Sequence, residues 1–279
     1  MRNPYEDSPE WRSVRQVVID RATSEEDGSF GGKIRSLGPD AVIDLICFTL
    51  DSATHLVDVL RDRVALFAHC GTLWVHGSPE SRPYDETAPR NPFGEYGIRK
   101  AAIERFLLGE AERGFPATIV HPGHITGPGW TPINPAGNLD VGVFERLACG
   151  DVVTLPDKGL ATLQHVHADD VARAFELVIE QPDNAIGQSF HVAAREPVTM
   201  RAYARAVASW NDRAANLEFL PWDEWKTTVT ERDAAITLDH ILHSPFASIE
   251  KARSILGFEP RFTAVEAVRD ALKQTPRPS

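Results

Sequence analysis

Tyr96 and Lys100 stand four residues apart in the stretch EYGIRKAAIERFLLGEAE (residues 95–112). On a helix that spacing stacks a phenol and an ammonium on one face. A nearby positive charge favours phenolate and brings tyrosine down from its ordinary pKa of about 10, so that it can exchange a proton with a substrate hydroxyl. Taking 100° per residue from Ile103, the residues Phe106, Leu107 and Ala111 fall within about 80° and define the buried stripe. Tyr96 and Lys100 fall at about 20° and 60°, on the inward side. The structural alternative is that the lysine snorkels or pairs locally, since an unpaired buried ammonium is unfavourable. Thr72 lies 24 residues before Tyr96, in CGTLWVHG. It follows a predicted strand, where open α/β sheets place their sites, so a hydroxyl, a phenol and an ammonium could converge.

The elements needed to position these groups can be read from the chain. VRQVVID (14–20) reads as a strand and KIRSLGPD as the end of a helix. AVIDLICFT (41–49) is apolar nearly throughout, as a strand buried on both faces requires. DSATHLVDVLRDR (51–63) reads as a helix capped by Asp51 or Ser52. VALFAHCGTLWVHG (64–77) reads as a strand ending in a loop, and PATIVHPG (116–123) as a fourth strand after the helix of Tyr96. This β-α-β-α succession predicts an α/β fold with a doubly wound parallel sheet. From about residue 124 the pattern changes to the Pro- and Gly-rich GPGWTPINPAGN (127–138), short strands, and helices in ADDVARAFELVIE (168–180) and SIEKARSILG (248–257). The expected division is a dinucleotide-binding domain over 1–125 plus about 163–181, and a smaller mixed substrate region over 126–162 and 182–279.

Composition narrows the partners. At 279 residues and 42% hydrophobic content the chain has material for a substantial core. Its net charge of −11 argues against a broad nucleic-acid or anionic-lipid surface, which needs clustered Lys and Arg. A small-molecule substrate is favoured, with no nucleic-acid and no membrane partner. Cys47, Cys70 and Cys149 are odd in number and far apart, which suggests neither a disulfide framework nor a zinc site and fits a reducing cytoplasm. The N-terminus carries Glu6, Asp7 and Glu10 and does not read as a signal peptide. The tail QTPRPS reads as disordered.

Five ordered motifs resemble the extended short-chain dehydrogenase/reductase superfamily, in particular its NAD-dependent epimerase/dehydratase group. GTLWVHG is similar to the SSxxVYG segment, YGIRK to YxxxK, and HPGHITGPG to the RPxNVYGPG turn. HVHADDVARAF is similar to the HVxDvA helix start and SIEKARSILGFEP to the C-terminal KAxxxLGxxP. The resemblance covers roughly residues 14 to 272. It implies a Rossmann-like fold, NAD or NADP as cofactor, and an oxidoreductase or isomerase acting on a hydroxyl or carbonyl of a small substrate, sugar-nucleotide-like in the standard members. It implies Tyr96 as acid/base, Lys100 as the residue that lowers its pKa and binds the nicotinamide ribose, and Thr72 as hydrogen-bonding to the reacting hydroxyl. It places Asp20 at the adenine, Ile46, Cys47 and Phe48 along the dinucleotide, and Pro122 and His124 beside the nicotinamide. A homodimer through the helices flanking the sheet is also implied. His76 stands where the family has the tyrosine of VYG and His121 where it has the arginine of RPxN, which predicts a different substrate pocket. Trp74, His76 and Trp130 are the candidate substrate contacts.

The family's opening strand, GxxGxxG turn and helix hold the pyrophosphate, and no GxxGxxG occurs here. GSFGGK (28–33) sits too far beyond the VVID run to serve and reads as a flexible turn. Motif counting therefore predicts an N-terminally truncated fold. The rival reading is a non-catalytic or truncated remnant that binds a ligand or partner; another is RNA binding, which occurs in an atypical branch of the superfamily and is disfavoured by the acidic charge. QHVHADD offers His165, His167, Asp169 and Asp170 as metal ligands, yet an Asp opening ADDVARAF reads more simply as a helix cap, so no metal is expected.

Overall fold

The structure, a computed structural model, describes residues 9–274. The expectations for the first eight residues and for the tail beyond Gln274 lie outside the described residues. In chain order the first half comprises α1 (Pro9–Ser13), α2 (Arg21–Glu26), α3 (Phe30–Ser36), β1 (Ala41–Asp44), α4 (Leu50–Leu60), β2 (Leu66–Cys70), a 3-10 turn (Leu73–His76), α5 (Gly94–Glu112), β3 (Ala117–Pro122) and β4 (His124–Thr126). Next come α6 (Gly142–Cys149), β5 (Val152–Pro156), β6 (Thr162–Leu163), β7 (His165–His167), α7 (Ala168–Glu180), α8 (Pro182–Ala185) and β8 (Ser189–Val192). The chain continues through β9 (Val198–Thr199), α9 (Met200–Ser209), β10 (Asn216–Leu220), α10 (Trp222–Trp225), α11 (Glu231–His243), α12 (Glu250–Leu256) and α13 (Ala264–Gln274).

The main sheet is parallel throughout, in the order β1-β2-β3-β8. Every residue of β2, β3 and β8 is buried, because helices cover both faces. Alternation along β2 sends Leu66, Ala68 and Cys70 into a core with Val120, Phe190, Phe175 and Val178, under α7 and α12. Phe67 turns the other way, joining Ile119, Leu56, Leu60, Ile103 and Leu107 under α4 and α5. A separate core of Phe144, Leu147, Leu155, Tyr203, Val207 and Trp225 binds α6, β5, α9 and α10 together. The α/β class and the parallel sheet agree with the sequence reading.

Several local expectations are corrected. Residues 14–20 form no strand: a β-branched run cannot supply a neighbour, and among the described residues no strand pairs with them, leaving Val18 99% exposed. The run 41–49 leaves the ladder after Asp44 and continues as the loop that borders the site. GSFGGK is not a flexible turn. Gly28 takes the left-handed turn at φ 74°, and Phe30 then begins α3, in which a Cβ on Gly31 would lie 2.6 Å from the His55 and Val59 side chains. The Gly31 N–H donates to His55 Nε2 at 3.0 Å, so this glycine lets α3 dock on α4. Helix α4 is capped by Thr49, which accepts from the Ser52 N–H at 3.2 Å, rather than by Asp51 or Ser52. Strand β8 closes the main sheet and α12 packs beside it, so residues 189–192 and 250–256 belong with the first layer and not with the substrate region expected over 182–279.

Candidate active site

The loops leaving β1, β2 and β3 at their carboxyl ends surround a cavity of about 370 Å3. Thr72, Trp74, Tyr96, Lys100, Pro122, His124 and Trp130 all line it, together with Leu45 and Phe48. The hydroxyl, phenol and ammonium picked out by spacing are thus brought to one place. Thr72 caps the 3-10 turn, its Oγ1 accepting from the Trp74 N–H at 3.3 Å. Helix α5 reaches this turn closely because position 97 is glycine: a Cβ there would lie 3.1 Å from the Trp74 carbonyl oxygen. The Trp74 ring meets the Tyr96 ring edge-on at 6.0 Å.

Lys100 is 2% exposed, and the snorkelling alternative does not hold. Its Nζ donates to the carbonyl oxygens of Cys47 and Cys70, each at 2.8 Å, and lies 4.8 Å from the Phe48 ring centre. One ammonium therefore ties together the loops that follow β1 and β2. Burial pulls the lysine below its ordinary pKa, and the neighbouring thiols oppose that shift. The ammonium lies to one side of the phenol, its Nζ 6.0 Å from the Tyr96 ring centre. Desolvation raises the phenol above its ordinary pKa although 43% of Tyr96 stays exposed, the Cys70 thiol adds to the rise, and the Thr72 hydroxyl pulls the other way, while the ammonium is directed at backbone carbonyls. At neutral pH Tyr96 accordingly holds its proton.

Behind the cavity runs a buried chain of polar contacts. The Thr72 N–H donates to His121 Nδ1 at 3.0 Å, so Nε2 carries the ring proton and donates to Glu104 Oε1 at 2.9 Å. Arg90 donates to both oxygens of Glu104, at 2.6 and 3.1 Å. These partners hold the Glu104 carboxyl well below the usual range despite burial, which acts to raise it. Gly71 makes the arrangement possible, for a Cβ there would lie 2.3 Å from His121 Nδ1. His121 replaces the family arginine without reaching the cavity; it is fully buried and anchors the turn that carries Thr72. Nothing in the residue spacing marked Arg90. Glu104 was missed as well; the signal that could have found it is its place four residues beyond Lys100, at the edge of the buried stripe.

The remaining candidates divide. His76 does not line the cavity: it is 1% exposed, its Nε2 lies 2.9 Å from His191 Nε2, and burial lowers its pKa to about 4. Asp20 caps α2, accepting from the Thr23 N–H at 3.0 Å, and the strand it was expected to end is absent. Of the 46–48 stretch, Phe48 lines the cavity, Cys47 presents its carbonyl to Lys100, and Ile46 is 59% exposed outside the lining. His167, rather than an Asp, caps α7, its Nδ1 accepting from the Asp169 N–H at 3.1 Å, while Asp170 accepts from the Arg261 and Phe262 N–H groups. Among the described residues, no group of three or more His, Cys, Asp or Glu has a metal-holding arrangement. No helix of the described residues is long and apolar enough to cross a membrane.

The comparisons with known proteins bear on the family and the fold. A chloroplast stem-loop binding protein of 41 kDa b from Arabidopsis thaliana is 24% identical over 269 residues, covering 96% of this chain and 67% of the relative. A 2'-dehydrokanamycin reductase from Streptomyces kanamyceticus is 28% identical over 67% of this chain and 52% of its own length. The chain thus spans between about half and two thirds of these relatives. The solved dTDP-glucose 4,6-dehydratase of Bacillus anthracis, in complex with NAD, superposes with a TM-score of 0.72 at 14% identity, covering 97% of this chain and 81% of that one. Residues 40–193, which carry β1 to β3, α5 and every cavity residue but Pro245, match the NAD dependent epimerase/dehydratase family, and the chain belongs to that family.

Proposed function

We propose that this chain is an NAD(P)-dependent oxidoreductase or isomerase of the epimerase/dehydratase type, acting at a secondary alcohol or ketone carbon. The observation that carries the reading is the convergence of the Thr72 hydroxyl, the Tyr96 phenol and the buried Lys100 on one cavity at the carboxyl edge of a parallel sheet. In this reading the main sheet, with β8 included, serves the cofactor, and the substrate enters the same cavity from the side of Trp130 and Pro245.

The residues suit the nicotinamide end of the cofactor. Lys100 has a third N–H beyond its two carbonyl partners, and His124 lines the cavity with Nδ1 buried and unpartnered. Pro122 adds an apolar face. A bound nicotinamide supplies or accepts the hydride. Tyr96, protonated at neutral pH because burial raises its pKa, donates its proton to the oxygen on which charge develops during reduction. The Thr72 hydroxyl is placed to donate a second hydrogen bond to that oxygen, and the Glu104–His121 contact fixes where Thr72 stands. Lys100 holds the β1 and β2 loops at the separation the site requires.

The test is turnover of Tyr96→Phe. Loss of the proton donor should lower the rate by roughly 100-fold or more, while NAD(P)H affinity changes little. Reduction by the wild type should be level from pH 6 to 9 and fall only in the alkaline range above the ordinary phenol value, where the donor loses its proton. Undiminished turnover in Tyr96→Phe would remove Tyr96 from the mechanism.

A second reading, recognition of an RNA stem-loop, is favoured by one relative, the stem-loop binding protein that matches 96% of this chain. The net charge of −11 weighs against it. A gel shift of a hairpin RNA at low salt, abolished by raising the salt, would support it; no shift at any salt would remove it.

A further inference from the structure

We infer that the cavity beside Tyr96 takes an uncharged, largely hydrocarbon ring ketone, or the matching secondary alcohol, and not a sugar. The inference rests on the redox reading above and names the substrate class for that site. Its walls are the Leu45, Leu73, Trp74, Ile125 and Trp130 side chains. The side-chain polar groups that line it are few, and mostly donors: the Thr72 hydroxyl, the Tyr96 phenol, the His124 ring, the Lys100 ammonium, the Cys70 thiol and the indole N–H groups of Trp74 and Trp130. Lys100 gives two of its three N–H groups to backbone carbonyls and, in the redox reading, the third to the cofactor, and no Asp, Glu or Arg lines the cavity.

The hydroxyl and the phenol suffice for one reacting oxygen. A hexose ring would bring three or four further hydroxyls into a space that offers them almost no partners, and a buried hydroxyl without a partner loses its hydration uncompensated. A charged substituent would fare worse, because anions are held by Arg or Lys forks or by helix N-termini. A hydrocarbon ring loses nothing there and covers apolar surface that water now meets, since Leu45 is 55% and Trp130 52% exposed at the cavity mouth.

The shape of the wall points to a ring. The Trp74 indole is stacked on His243 at 4.0 Å and 9°, and His243 is stacked in turn on Phe93 at 4.0 Å. Trp74 is therefore a fixed flat surface beside the phenol, and binding against it requires no ordering of the side chain. The volume of about 370 Å3 equals roughly a dozen water molecules at liquid density, room beside a nicotinamide ring for a substrate of one or two rings but not for a nucleotide sugar as well. In reduction, the carbonyl carbon gains a hydride from the reduced nicotinamide and the oxygen gains the Tyr96 proton. The C=O π bond is replaced by one C–H and one O–H bond, the nicotinamide is oxidised, and Tyr96 is reprotonated from solvent.

The experiment uses the 279-residue chain with 2-tetralone and UDP-glucose as probes. Binding is followed by ligand-observed NMR with and without NADPH, and turnover by NADPH absorbance. The expected result is saturable 2-tetralone binding, at least tenfold weaker in Trp130→Ala, with UDP-glucose binding absent or at least tenfold weaker than that of the ketone. Tighter binding of UDP-glucose, no binding of 2-tetralone, or 2-tetralone binding indifferent to Trp130→Ala would each overturn the inference. The redox reading is judged separately: 2-tetralone bound in a Trp130-dependent manner but never reduced, with NADPH or NADH, would keep the apolar pocket and sink the oxidoreductase.

Discussion

Acid should unfold this protein unusually early, because the fold buries neutral histidines. His69, His76, His124, His165 and His191 are all pushed below the ordinary value of 6.5, first of all by desolvation. His76 is brought to about 4 and His165 to about 3. When a folded-state pKa is depressed, the unfolded chain binds the proton first, so stability falls as pH drops below 6.5 and continues to fall until the folded group titrates. For one histidine that stays neutral in the fold, the loss between pH 8 and pH 5.5 is about 1.4 kcal/mol. Five such groups together remove about 7 kcal/mol, comparable with the whole stability of a typical domain at roughly 5–15 kcal/mol. His69 isolates the effect: it sits in the middle of β2, 1% exposed, and neither ring nitrogen has a hydrogen-bond partner.

His69→Leu should therefore be at least as stable as the wild type at pH 8, since an unsatisfied polar ring gives way to a side chain suited to a buried strand. By pH 5.5 the variant should lead by a further 1.4 kcal/mol or so, the contribution of one proton. Urea unfolding followed by circular dichroism at pH 8, 7, 6 and 5.5 gives both quantities. Parallel pH profiles for the two proteins would refute the reasoning, because they would mean that His69 titrates alike in the folded and unfolded chains.

Other perturbations test the site. Glu104→Gln removes the charge between Arg90 and His121 and should destabilise by about 3 kcal/mol, lowering the melting temperature by roughly 6–12 °C at pH 7. Since the carboxyl is depressed in the fold, its contribution is complete above the ordinary carboxylate range and is lost as pH falls, so the difference in melting temperature should narrow toward acid; a constant difference would count against the ion pair. Gly71→Ala drives a methyl group onto His121, and the Thr72 N–H contact should break at a cost of about 1–3 kcal/mol. Preserved stability and turnover in that variant would show the turn to be pliable. Lys100→Met should keep stability within about 2 kcal/mol, because relief from burying an ammonium offsets the two lost hydrogen bonds. It should weaken NADPH binding at least tenfold, and unchanged affinity by fluorescence titration would assign Lys100 a purely structural role.

What the sequence made legible follows from which interactions are local. The Tyr96–Lys100 face and the strands around Phe67 and Ile119 are set by residues within a few positions of one another, and periodicity reports them, whereas the cap of α4 fell to Thr49 and that of α7 to His167. Residues 14–20 carry a β-branched run such as strands favour, but a strand exists only beside another, and composition is silent about neighbours. The same limit hid β8 from its sheet: Ser189–Val192 is four residues long and pairs with Ile119–Pro122 some 70 positions away. His76 and His121 were visible as departures from a family pattern, yet their burial depended on partners, His191 and Glu104, that only the tertiary fold brings near.

The i, i+4 pair turns out to be part of a longer series. Tyr96, Lys100 and Glu104 stand at successive four-residue steps on α5, and each acts on a different strand end. Tyr96 presents its phenol to the cavity, Lys100 draws in the loops after β1 and β2 through Cys47 and Cys70, and Glu104 fixes His121 on β3, which in turn holds the Thr72 N–H after β2. A rigid helix thus sets the separation of three loops with side chains that share one face, and loops positioned in this way need no covalent or metal clamp. This accounts for two buried ionisable groups on a single stripe that packing alone would fill with Leu or Ile. Charged groups of that kind persist where directed hydrogen bonds to particular backbone atoms fix a geometry that apolar contacts cannot specify.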